Sequence, residues 1–355
     1  MQKRIWATLA WCVLSSSLFA QPVASLSTPT TLSAPSRGID VNALDISKLR
    51  LTSNNAMVVD TETGRVLYSK NPLAPAPIAS ITKLMTAMVV LDAQLSLDEP
   101  ITITSEDMDV IKNTHSRLKL GVTLSRREIM RLALMSSENR AAAALGRNYP
   151  GGIQAFVRAM NKKAASLGMT NTHYADSTGL SSSNQSTAED LVRMVHAAVN
   201  YQPIRDFTTT AEYWIEPAPG QRPLSYRNSN ALMRDPNWDI VVSKTGYIQE
   251  AGRCLVMIVR VEEHPITIVM LDANGKQARL SDAHRIKSWL ENGGQDYDNS
   301  SVADASETPR AAATVHHAVK KQVAARKKTY KRIATTSHKV KSKAMARANN
   351  RKTHG

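Results

Sequence analysis

The chain has 355 residues, 42% of them hydrophobic and 21% charged, with 15 glycines and 15 prolines, which excludes a collagen-like or wholly disordered polymer and allows a sizeable core. Its 45 Lys and Arg against 30 Asp and Glu give a net charge of +15, and the excess is concentrated. Residues 310–355 carry 14 basic residues and no acid, residues 1–20 carry only Lys3 and Arg4, and the stretch between is near neutral with 29 basic against 30 acidic residues. A basic globule that binds nucleic acid is therefore disfavoured, and affinity for polyanions belongs to the C-terminal segment.

Residues 1–20 have the make-up of an export signal: Lys3-Arg4, an apolar stretch from Ile5 to Val13, then small residues ending at Ala20. Cys12 leaves with that signal, so Cys254 stands alone within an apolar run and reads as a packing cysteine. Residues 21–45 are rich in Ser, Thr, Pro and Ala and read as a flexible linker. Folded structure is expected near Leu51 and through a domain spanning 46–295, followed by a disordered Lys/Arg/Ala-rich tail over 296–355.

Within the domain, Ala56–Asp60 and Arg65–Ser69 read as two strands joined by the turn Thr61-Glu62-Thr63-Gly64. Apolar residues at 81, 84, 85, 88 and 89 give the stripe of a helix that starts at or just after Ser80. Ser125-Arg126-Arg127-Glu128 is a capping box for a second helix that stops near Ser136. Ile153–Leu167 is helical in pattern and closes at Gly168, and a second capping box, Ser186-Thr187-Ala188-Glu189, opens another helix. The period then changes: Trp238–Ser243, Cys254–Val261 and Ile266–Leu271 read as strands before a last helix from Ser281 to Leu290. The expected architecture is α+β, an antiparallel sheet covered by helices with a helical subdomain.

Three short motifs carry chemistry. Ser80-Ile81-Thr82-Lys83 puts a hydroxyl and an amine on one face at the start of a helix, where unpaired N–H groups can stabilise an oxyanion. Lysine can act as the base for that serine only if burial or a neighbouring cation lowers its pKa. Ser137-Glu138-Asn139 follows the capped helix, and Lys244-Thr245-Gly246 ends a predicted strand. Each alone is unspecific, but the ordered set S-x-x-K, S-x-N, K-T-G marks penicillin-binding proteins and class A β-lactamases. Ser137 can relay a proton between the lysines and a leaving amine, and Asn139 can bind a substrate amide. Lys244 helps keep Lys83 neutral and attracts a carboxylate, Thr245 can hydrogen-bond that carboxylate, and Gly246 lets a peptide lie against the strand edge.

With these motifs in place, the stretch from Met57 to Gly293 resembles the serine-type D-Ala-D-Ala peptidases of the penicillin-binding fold, and within them the D-alanyl-D-alanine endopeptidases of the penicillin-binding protein 7 type. The residues that carry the resemblance are Ile78–Asp92, Leu132–Ala142, Leu167-Gly168-Met169 with Thr178-Gly179-Leu180, and Lys244-Thr245-Gly246-Tyr247. It implies Ser80 as the acyl-ester nucleophile, Lys83 as its proton acceptor, Ser137 as third catalytic residue, and Asn139, Lys244, Thr245, Gly246 and Tyr247 as substrate-binding residues. The backbone N–H groups of Ser80 and Tyr247 would then form the oxyanion hole. It also implies peptidoglycan peptides as substrates, β-lactams as acylating inhibitors and a periplasmic setting.

A β-lactamase reading meets an obstacle, because class A enzymes use a glutamate for deacylation and no Glu lies between Glu138 and Glu189. A D-Ala-D-Ala carboxypeptidase remains open, since it shares the acyl-enzyme and differs only in the leaving group. A third reading gives the basic tail the main role, as a binder of anionic wall or lipid surfaces, with no nucleic acid expected after export. The nine histidines show no metal-ligand spacing and no Gly-rich phosphate loop is present, so neither metal nor cofactor is expected.

Overall fold

The computed structural model describes residues 44–217 and 220–295. The expected signal (1–20), all but the last two residues of the expected linker (21–45) and the expected tail (296–355) lie outside the described residues. The elements in chain order are β1 (Ser53–Asp60), β2 (Val66–Lys70), β3 (Ala76–Pro77), α1 (Thr82–Asp92), β4 (Pro100–Thr102), β5 (Thr123–Ser125) and α2 (Arg126–Met135). They continue as α3 (Asn139–Arg147), α4 (Gly152–Ser166), β6 (Gln185–Ser186), α5 (Ala188–Ala198), α6 (Gln202–Thr208), β7 (Glu212–Ile215) and β8 (Leu224–Arg227). The long strands β9 (Asp239–Ile248), β10 (Gly252–Val261) and β11 (His264–Ala273) and the helix α7 (Ala278–Glu291) complete the fold.

The main sheet is antiparallel, in the order β2-β1-β11-β10-β9. Its strands are apolar on both sides because both faces are covered. Ala56, Val58, Leu255, Met257 and Met270 pack with Ile286, Trp289 and Leu290 of α7. Met57, Val59, Cys254, Val256, Val269 and Leu271 alternate with them and meet the helices on the other face. The α+β reading, an antiparallel sheet covered by helices, therefore holds. Strand β9 is one edge of the sheet and β2 the other.

Helix α1 is the centre of the helical layer, buried from Thr82 through Val90 rather than along one stripe. That position takes Lys83, on its first turn, away from water. The capping box of α2 is present as expected, Glu128 N–H donating to Ser125 Oγ and Ser125 N–H to Glu128 Oε2. Met85, Met88, Met130 and Met135 are core residues, and Cys254 is fully buried with its thiol pushed up to about 12 by desolvation.

Four details differ from the sequence reading. Folding does not wait for Leu51: Leu49 is buried, Leu44 packs on the α7 cluster, and the Trp289 indole donates to the Asp45 carbonyl at 3.0 Å. The second capping box is displaced by one residue, since Thr187 caps α5 by accepting from Asp190 N–H while Ser186 lies in β6. Asp190 returns no bond to Thr187, because Asn171, Thr172 and Arg193 occupy its carboxylate. Helix α3 begins two residues after Ser137 where no helix was expected, and Lys244-Thr245-Gly246 lies inside β9, which runs on to Ile248.

Candidate active site

Four segments converge on Ser80. The serine sits in the 3-10 turn Ala79–Ile81 that leads into α1, so Lys83 follows one turn later and its Nζ donates to Ser80 Oγ at 2.8 Å. Lys83 also donates to Asn139 Oδ1 at 2.8 Å and to the Thr178 carbonyl at 2.6 Å. Lys83 is fully buried, and burial lowers its pKa to about 7 against partial compensation from Asp176, Glu138 and Asp109. Of the two causes expected from the sequence, burial or a neighbouring cation, burial is thus the first.

The Thr178 carbonyl is presented by a loop organised around Asp176, whose carboxylate accepts from the N–H groups of Thr178, Gly179 and Ser181. Gly179 adopts φ +83°, and a Cβ there would fall 1.9 Å from the Ala79 carbonyl oxygen, so only glycine brings this loop onto the Ser80 turn.

Ser137 follows α2 with φ 62°, a left-handed conformation costly for a residue other than glycine. The turn brings Glu138 N–H back to the Leu132 carbonyl at 3.1 Å, starts α3 at Asn139 and leaves the Ser137 hydroxyl facing the sheet. There it accepts from Lys244 Nζ at 2.9 Å. Lys244 and Gly246 are two apart on β9 and so share one face, towards the helical layer. A Cβ on Gly246 would lie 2.8 Å from the Ile78 carbonyl oxygen and 3.3 Å from Ser80 N, which measures how closely the edge strand backs the Ser80 turn.

Lys244 is buried, and its pKa is pulled well down by burial, then by repulsion from Lys83 and Arg279. Thr245 donates its hydroxyl hydrogen to Ser229 Oγ at 2.7 Å. Tyr247 is exposed, with the Arg253 guanidinium 4.6 Å from its ring centroid. The expected direct relay between both lysines through Ser137 is only half present, since the bonds of Lys83 go to Ser80, Asn139 and Thr178. Asn139 is spanned between Lys83 and Thr114, to whose hydroxyl its Nδ2 donates at 3.0 Å.

Two residues at the site escaped sequence reasoning. Arg279, at the start of α7, donates to the Gly246 carbonyl at 3.4 Å, and burial together with Arg253 lowers its pKa. Ser229 enters through the Thr245 contact. Neither belongs to a short motif, and a lone Arg 35 residues beyond Lys244 carries no signal of its own. Beside Asn139 and Thr178 opens a cleft edged by Met108, Val110, Ile111 and Asp176. Among the described residues no cluster of three or more His, Cys, Asp or Glu is placed to hold a metal ion, and no helix is long and apolar enough to cross a membrane.

A nucleophile hydrogen-bonded to a dry lysine, beside a second hydroxyl–lysine pair on a strand edge, is an arrangement for acyl transfer to serine. Residues 42–275 match the D-alanyl-D-alanine carboxypeptidase family, peptidase family S11. The chain belongs to this family. A D-alanyl-D-alanine endopeptidase of Pseudomonas aeruginosa is 47% identical to the S11 chain over 272 residues, 76% of it and 86% of the relative. The D-alanyl-D-alanine endopeptidase of Escherichia coli K12 is 45% identical over 71% of the chain and 81% of its own length. Of solved structures, the Streptomyces K15 DD-transpeptidase superposes with TM-score 0.63 at 28% identity, over 70% of the S11 chain and 98% of its own. The endopeptidase branch expected from the resemblance is thus the one that the Pseudomonas and Escherichia relatives carry in their names.

Proposed function

We propose that this protein is a serine D-alanyl-D-alanine endopeptidase that hydrolyses D-Ala-meso-diaminopimelate cross-links of peptidoglycan through an acyl-enzyme on Ser80. The observation that carries this reading is the meeting of two hydroxyl–lysine pairs, Ser80 with Lys83 at 2.8 Å and Ser137 with Lys244 at 2.9 Å, contributed by three distant segments.

Neutral Lys83 takes the Ser80 proton as Oγ attacks the D-alanyl carbonyl carbon. The oxyanion forms beside the N–H groups of Ser80 and Tyr247, and Ser137 delivers a proton to the departing amine while taking one from Lys244 Nζ, so the amide C–N bond breaks and an ester to Ser80 remains. Water then cleaves the ester by the same route in reverse, its proton passing through Ser137 to Lys244 as Lys83 returns the other proton to Ser80. Lys244, Thr245 and Arg279 provide cations and a hydroxyl for the carboxylate on the leaving side, and Asn139 exchanges its bond to Thr114 for a substrate amide. β-Lactams enter the same acylation step. Glu189, the first glutamate after Glu138, is paired with Arg193 on the surface of α5, which fits slow release of the acylated antibiotic.

The signal-like residues 1–20 support a periplasmic location, and the basic residues of 310–355 support attachment to anionic wall or lipid surfaces. The test is mass spectrometry of cross-linked and pentapeptide muropeptides after incubation with the enzyme, with Ser80→Ala as control. Conversion of dimers to monomers is the expected result. Loss of a single D-Ala with dimers intact would move the protein to the carboxypeptidases, whose acyl-enzyme is the same.

A further inference from the structure

The loop before α2 and the turn after β9 meet at a place that the catalytic chemistry does not use. Lys112 and Glu250 form an ion pair there, 138 residues apart in sequence. Lys112 belongs to a loop tied to the site: the Asp109 carboxylate collects the N–H groups of Ile111, Lys112 and Thr114 at 2.8, 2.9 and 2.8 Å, and Thr114 accepts from Asn139. Glu250 lies in the β9–β10 turn, four residues beyond the glycine that backs Ser80. The contacts therefore close a ring, from Ser80 through Lys83, Asn139, Thr114 and Lys112 to Glu250, and back along the edge strand to Gly246 and Ser80.

We propose that the Lys112–Glu250 pair is a specificity-determining bridge between the two walls of the substrate cleft, which favours compact acyl donors and slows entry of extended, glycan-linked stem peptides. The proposal rests on the reading that this cleft receives the peptidoglycan peptide. A peptide laid along β9 from Lys244 towards Ile248 runs into the bridged end, whereas a penicillin needs only the space around Ser80.

Leu118 anchors the loop in the core, but its tip is not held by burial, since Val110 is 84% and Ile111 53% exposed. Its position depends on hydrogen bonds and on this pair. The pair's side chains are 31% and 42% exposed, so it shifts the balance between bridged and open forms by no more than about fivefold, enough to bias entry and weak enough for substrate to open. Hydrogen bonding to Lys112 holds the Glu250 carboxyl below its ordinary pKa, so the bridge stays charged at neutral pH.

The experiment compares Lys112→Ala, Glu250→Ala and the charge-swapped double variant Lys112→Glu/Glu250→Lys with the wild type. Two rates are read on each: kcat/KM for cross-linked muropeptide dimers and intact sacculi, and the second-order rate of acylation by benzylpenicillin. Either single variant is expected to raise the first about two- to fivefold and leave the second unchanged, and the swap to return both to wild type. Added salt at 0.5 M, an ionic strength chosen to screen the pair, should speed the wild type on dimers and not the single variants. Equal shifts on dimers and penicillin, or no shift on dimers, would overturn the bridge. A wild type that trims only pentapeptides would defeat the endopeptidase reading separately, and the same ratio would then be read with glycan-linked pentapeptide against penicillin.

Discussion

The dryness of Lys83 makes a quantitative demand on the pH dependence of acylation. An ordinary lysine is neutral in only about one molecule in 3,000 at pH 7, whereas a pKa of about 7 leaves about half of the population able to accept a proton. Burial of α1 therefore supplies about three orders of magnitude in available base. The working form lies above the pKa, so acylation should rise with pH: about fivefold between pH 6 and 7, less than twofold between 7 and 8, then level off. The assay is the second-order rate of labelling by a fluorescent penicillin from pH 5.5 to 9.5. Lys244 shifts in the same direction and is coupled to Lys83, so the inflection belongs to the pair. Because burial is the first cause at Lys83, removing the other cation in Lys244→Ala should move the inflection upwards by less than about one unit. Lys83→Arg, charged throughout this range, should lower acylation by about 100-fold or more at every pH. A flat profile between pH 6 and 8, or an inflection near 10, would refute the reasoning.

Other consequences are simpler to score. Gly246→Ala places a methyl 2.8 Å from the Ile78 carbonyl oxygen, pushing β9 from the Ser80 turn; penicillin labelling should fall at least about tenfold in a soluble, folded protein. Ser125→Ala removes the α2 cap and should lower the melting temperature by about 2–4 °C, corresponding to roughly 1 kcal/mol, with acylation unaffected. Asp282→Ala leaves the amides and hydroxyls of Thr52 and Ser53 without their acceptor, those of Ser53 buried, and should cost about 3 kcal/mol in denaturant titration. Deleting residues 310–355 should spare cleavage of soluble muropeptides and reduce retention on sacculi at low salt; unchanged retention would leave the tail with another role.

The amino-acid sequence by itself determined the elements and the reacting groups. Continuous apolar runs such as Cys254–Val259 read as buried strands, and a serine, a lysine and a second serine announced themselves by spacing and order. Local chemistry also placed the α2 cap correctly, because a capping box is decided within four residues. It failed at Ser186 by one position, where Asp190 was drawn to Asn171 and Thr172 rather than to its own helix start. Helix α3 was illegible because its first turn is set by the left-handed Ser137, a conformation that no local propensity favours.

What only the tertiary structure decided was the environment of those groups. Lys83 becomes a base because α1 is enclosed on every side, and Lys244 reaches Ser137 because the edge strand lies against the turn after α2. Arg279 and Glu250 acquire their places by crossing of segments far apart in the chain. Spacing along a chain fixes which side chains share a face; desolvation and long-range charge pairing depend on what packs over that face, and no short stretch of sequence contains that information.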